Sequence, residues 1–112
     1  MPALYATNGP SRAELDAMPG SVVVQFGTDW CGWCQAAEPL IADAFADFPN
    51  VAHIRIEDGP GRPTGRSFGI RLWPTLVCLV DGREVARVTR PADAKVVSRA
   101  LAEMTGSAQS DG

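Results

Sequence analysis

The sequence predicts an α/β fold, a mixed central β-sheet flanked by helices, from three observations. An apolar strand-like run at 22–26 leads into helical spacing from Cys34 to about Phe48, and a second strand run follows at 51–56. That strand–helix–strand order implies a right-handed crossover and a parallel strand pair. Next, Asp81-Gly82 joins two further strand runs, 75–80 and 84–89, and this dipeptide favours a tight antiparallel hairpin. Finally, the run 92–104 closes the pattern as an amphipathic helix.

Each element has a local cause. Ser11-Arg-Ala-Glu14 has the pattern of a capping box, so a short helix begins there and stops at Pro19-Gly20. The run 22–26 is apolar on both faces except at Gln25, as a central strand requires. The following helix presents Ala37, Leu40, Ile41, Ala44, Phe45 and Phe48 at helical spacing, and Pro39 inside it should kink it. Residues 58–65 are rich in Gly and Pro and read as a loop, with a short helical turn around 66–68. The last helix turns Val97, Ala100, Leu101 and Met104 inward, and Gly106 ends it. Residues 1–106 therefore read as one domain, and 107–112 as a disordered tail.

The bulk numbers narrow the class. A chain of 112 residues with 46% hydrophobic and 21% charged residues can build one core. A net charge of −3 without a basic stripe argues against a nucleic-acid partner. The longest apolar runs are too short to span a bilayer, so no membrane is expected. The N-terminus lacks the basic start and apolar stretch of a signal peptide. With three cysteines and no secretory signal, the expected compartment is the reducing cytoplasm. No bound cofactor is implied.

Two of the cysteines carry the chemistry. Cys31 and Cys34 at i and i+3 on the first helical turn share one face, within reach of a disulfide. Cys31 falls at the helix N-terminus, where unpaired amides and the dipole favour a thiolate, so it reads as the nucleophile. Cys34, one turn further in, is suited to resolve the mixed disulfide that Cys31 forms. The same spacing is half of a zinc site, but His53 and Cys78 lie unpaired in strand patterns and supply no second half; no metal is expected. Cys78 reads as a buried inert thiol and His53 as structural. Asp29 and Glu38 read as solvated acids near the helix end.

Here the chain resembles the thioredoxin family. Phe26-Gly-Thr-Asp-Trp-Cys-Gly-Trp-Cys34 is similar to that family's active-site segment, and Pro39 to its kinking proline. Gly69-Ile-Arg-Leu-Trp-Pro-Thr75 resembles the segment around its cis-proline, and Asp81-Gly-Arg-Glu-Val85 the hairpin after it. The resemblance runs from Val22 to about Met104. It implies a thioredoxin fold, with Pro74 cis and facing the cysteines. It also implies disulfide exchange with protein substrates and an electron donor such as a reductase.

The departures point to tuning. The family's buried aspartate is Gln25, which hydrogen-bonds but takes no proton at neutral pH. Cys34 must then lose its proton to water or to another base. The family's partner lysine is Arg55, which keeps its charge. Trp33 replaces the proline between the cysteines, Trp73 precedes Pro74, and Pro91 replaces a glycine of the substrate groove. Trp30, Trp33 and Trp73, with Gly32 and Pro74, form the candidate substrate-binding collar. Within it Trp33 and Trp73 read as recognition and Trp30 as packing. Two functions stay open: a monomeric protein-disulfide oxidoreductase of narrower range than a general reductant, or a binding module or chaperone whose cysteines are regulatory or vestigial. An iron–sulfur dimer bridged by two such motifs ranks below both, because the proline obstructs it.

Overall fold

The computed structural model describes residues 4–106. The expected disordered tail lies outside the described residues. In chain order the elements are α1 (Arg12–Asp16), β1 (Ser21–Gly27), α2 (Gly32–Phe45), β2 (Ala52–Glu57), α3 (Pro63–Ser67), β3 (Thr75–Val80), β4 (Arg83–Thr89) and α4 (Ala94–Thr105). The four strands form one mixed sheet in the order β2-β1-β3-β4. β1 runs parallel to β2 and antiparallel to β3, and β3 pairs antiparallel with β4.

Side-chain alternation along the two central strands sorts the core into two layers. Val23, Leu76 and Cys78 face one side, packed with Ala37, Ile41 and Ala44 of α2 and with Val97, Ala100, Leu101 and Met104 of α4. Val22, Val24, Phe26, Val77 and Leu79 face the other side, against Leu15 of α1 and Phe68 just after α3. Parity then decides the site. Gln25 and Gly27 share the face of Val23, so both lie under α2.

The ends follow their chemistry. Ser11 caps α1 through the expected capping box with Glu14. The Asp81-Gly82 turn has φ values of 52° and 81°, as a two-residue hairpin of this kind needs. Gly82 is required twice over, since a Cβ there would collide with the backbone oxygen of Asp16. Among the boundaries that differ from expectation, α3 starts at Pro63, inside the segment read as loop. Proline at the first helical position has its φ already set and loses an amide that no helix bond would use. The helical turn expected at 66–68 is the end of that element. α2 likewise begins at Gly32 rather than Cys34, and passes Pro39 as one helix.

Candidate active site

The early start of α2 comes from Cys31 itself. Cys31 is the N-cap, with extended backbone, and its Sγ accepts the amide of Cys34 at 3.3 Å. An N-cap side chain satisfies an otherwise orphaned helix donor. Here the capping atom is the sulfur, so that sulfur sits where the helix dipole and free amides favour negative charge. Both thiols are free, and Cys31 is 7% exposed against 1% for Cys34. Burial pushes the Cys34 thiol up to about 11, and its hydrogen bond to Cys31 adds to that rise. Cys34 thus keeps its proton while Cys31 is the sulfur nearer the surface. Cys78, at 1% exposure in β3, is pushed up to about 12 by burial, in keeping with an inert core thiol.

Below the cysteines lies a polar network centred on the fully buried Gln25. Its Nε2 donates to the Tyr5 hydroxyl at 2.6 Å and to Glu38 Oε2 at 3.0 Å. Its Oε1 lies 2.7 Å from His53 Nε2. An amide oxygen only accepts, so His53 carries its proton on Nε2. Burial, then Arg55, lowers His53 to about 4, which keeps the ring neutral. The ring stacks on Phe45 with centroids 4.2 Å apart. Arg55, directly across from Gln25 in the β1–β2 register, donates to Glu38 Oε1 at 2.8 Å. Gln25 and Arg55 therefore meet at one carboxylate.

Glu38 corrects the sequence reading. It is not a solvated acid but half of a largely buried ion pair, 16% exposed beside an Arg55 at 15%. The spacing held a signal, because Glu38 is four residues after Cys34 on the same helix face. Asp29 does remain exposed, yet its carboxylate accepts the backbone amide of Tyr5 at 2.9 Å. Tyr5 is the residue the sequence concealed. It lies 20 positions before Gln25, outside any motif, and packs with Cys31, Cys34 and Trp73.

The rim is aromatic. The Trp73–Pro74 peptide bond is cis, and Trp73 packs against the cluster of Tyr5, Cys31 and Cys34. Trp73 Nε1 donates to Asp58 Oδ2 at 2.8 Å, which fixes the indole. Trp30 meets Trp73 edge to face, with centroids 5.8 Å apart, but is itself 74% exposed. The packing role expected for Trp30 is therefore corrected: it is the most exposed large apolar side chain of the described residues. Trp33 is 59% exposed beneath the guanidinium of Arg90, 4.4 Å from its ring centroid. Arg90 also donates from Nε to the Trp73 carbonyl and from its amide to the Pro74 carbonyl. Gly32 is exposed between the cysteines, and Pro74 is buried. Pro91 and Arg90 border the outer face of Trp33 together with Leu40.

Sequence and structure comparisons agree with this arrangement. The thioredoxin family model matches residues 6–103. The chain belongs to the thioredoxin family. A thioredoxin from Chlamydia muridarum is 36% identical over 69 residues, covering 61% of this chain and 67% of that one. Thioredoxin Asp f 28 from Aspergillus fumigatus is 33% identical over 84 residues, covering 75% of this chain and 78% of that one. The segment matched in a tobacco H-type thioredoxin is 53% of that protein's length. Among solved structures, reduced thioredoxin 2 from Pseudomonas aeruginosa PAO1 is similar at a TM-score of 0.87 and 54% identity, covering 96% of this chain and 99% of that one.

Thioredoxin membership implies thiol–disulfide oxidoreductase activity, and thioredoxins act on protein disulfides and are reduced by a reductase. Among the described residues no helix is long and apolar enough to cross a membrane. Nor do the described residues hold a group of three or more His, Cys, Asp or Glu placed to bind a metal ion.

Proposed function

We propose that this thioredoxin-family protein is a dithiol–disulfide oxidoreductase for protein substrates in which Cys31 attacks and Cys34 resolves. The observation that carries the reading is the capping of α2 by Cys31 Sγ beside a Cys34 that burial keeps protonated. The Cys31 thiolate attacks one sulfur of a substrate disulfide and expels the other as a thiolate. Cys34 then loses its proton and attacks Cys31 Sγ. The Cys31–Cys34 disulfide forms, the second substrate thiolate leaves, and a reductase returns the pair to the dithiol. Exposed Trp30 and Trp33 supply apolar contact for an incoming polypeptide, and Trp73, Pro74 and Gly32 complete its seat.

A range narrower than that of a general reductant is supported by Arg90, which occupies the Trp73 carbonyl and covers one face of Trp33. An extended substrate meets fewer free backbone groups there and must match the aromatic rim instead. The protein works as a monomer in the reducing cytoplasm. The test is reduction of insulin and of a panel of folded disulfide proteins, with dithiothreitol as electron source. The wild-type protein turns over and Cys31→Ser does not. Narrow range requires kcat/KM to differ among the folded substrates by at least about a hundredfold, roughly 2.7 kcal/mol of discrimination. A binding module with vestigial cysteines would leave every disulfide intact while still binding a partner.

A further inference from the structure

We infer that Tyr5 is the hydrogen-bond donor that stabilises the Cys34 sulfur as it becomes the attacking thiolate, the place left open by Gln25. The inference rests on the proposed roles of Cys31 and Cys34 and adds a residue that lies outside the motif.

Four observations carry it. First, Tyr5 is aimed by its backbone: its amide donates to Asp29, the next amide donates to the Arg55 carbonyl, and the Ala6 carbonyl accepts from Glu57. The segment thereby adds a parallel bridge, Ala6 to Ile56, on the outer edge of β2. Second, the phenol oxygen lies on the same side of β1 as the sulfur. A Cβ on Gly27 would lie 2.5 Å from Cys34 Sγ and 2.7 Å from Tyr5 Oη, so the two atoms flank the same bare glycine. Third, the direction of the network is set. His53 donates to Gln25 Oε1, and Gln25 Nε2 donates to Tyr5 Oη, which leaves the Tyr5 proton for Cys34 Sγ. From His53 through Gln25 to Tyr5 each step donates toward the sulfur, while the second Gln25 N–H goes to Glu38, and successive bonds in such a line polarise one another. Fourth, burial drives the phenol's own titration above its ordinary range, so Tyr5 remains a donor wherever the enzyme works.

The step balances without a protein base. Cys34–SH releases its proton to solvent through the cavity of about 280 Å³ that it lines with Tyr5, Thr28 and Glu38. The thiolate attacks Cys31 Sγ, the Cys31–Cys34 bond forms, and the substrate sulfur departs with the electron pair and takes up a proton. Tyr5 acts on the thiolate, not on the proton. A charge-assisted bond of this kind raises the thiolate fraction about tenfold, while the lower basicity costs part of the nucleophilicity. The net gain in the resolving step is about threefold.

The experiment compares wild-type protein with Tyr5→Phe, which keeps the ring and removes the donor. Titration of Cys34 alone, in a Cys31→Ser, Cys78→Ala background, follows the thiolate by ultraviolet absorbance. Tyr5→Phe should move that midpoint up by about one pH unit. Single-turnover mixing with a disulfide substrate resolves mixed-disulfide formation on Cys31 from release of the second thiol. Release should slow about threefold near neutral pH while the first burst persists. An unmoved Cys34 midpoint, or release at the wild-type rate, overturns the role of Tyr5. Loss of the burst in the wild-type protein itself overturns the oxidoreductase reading on which it rests.

Discussion

The carboxylate of Glu38 is held 2.8 Å from the Arg55 guanidinium, with both side chains about 15% exposed. Gln25 adds a second donor to the same carboxylate. This pair stands on the face of the sheet that supports Cys34, and removal of one partner leaves the other charged and largely dry. Glu38→Gln should therefore lower unfolding free energy by about 2 kcal/mol, measured by urea denaturation. Arg55→Met, which strands the carboxylate, should do the same. The two together should cost less than the sum of the singles, because the double variant buries no unpaired charge.

Gly27 has a packing role that no side chain can share. A Cβ would sit 2.5 Å from Cys34 Sγ and 2.7 Å from the Tyr5 hydroxyl, inside contact distance of both. Gly27→Ala should displace the resolving sulfur and destabilise the fold by about 1–3 kcal/mol, the usual cost of overpacking a core. Insulin reduction should fall together with Tm. A variant of unaltered Tm and turnover would show that the pocket yields freely.

His53 makes stability depend on pH. Burial, then Arg55, lowers its pKa from 6.5 to about 4. Between those values the unfolded chain binds a proton that the folded protein refuses, so stability rises with pH across that window. The contribution is complete above pH 6.5 and is lost as pH falls toward 4. Its size is up to about 3 kcal/mol. His53→Gln retains an N–H donor for Gln25 but does not titrate. Urea midpoints taken from neutral to acid pH should fall less steeply in this variant than in the wild type.

The sheet and its flanking helices were legible because their signals are local. The apolar run of β1, the Asp81-Gly82 turn and the inward spacing of Val97, Ala100, Leu101 and Met104 each need only a few residues to be read. The cysteine pair was legible for the same reason, whereas the cis bond before Pro74 followed only from the likeness of residues 69–75 to the family's segment. The start of α3 was not, since Pro63 sits among Gly and Pro that read as loop while it also opens a helix well. Trp30 was misread because the rim it joins is assembled from α2 and the segment before β3, and exposure there depends on that meeting. Tyr5 and Glu38 show the deeper limit. Gln25 marked a missing carboxylate, but which groups fill the space is decided by the register of β1 with β2 and by a segment 20 residues upstream.

The division of labour between the two cysteines is tested most directly by trapping. Cys34→Ser removes the resolving thiol and leaves the Cys31 cap on α2. Incubated with a protein disulfide such as insulin, this variant should accumulate a stable mixed disulfide, and peptide mapping should place it on Cys31. Cys78, buried in β3 with its thiol pushed up to about 12, should remain unmodified. An adduct on Cys78, or no adduct with a substrate that the wild-type protein reduces, would contradict the assignment.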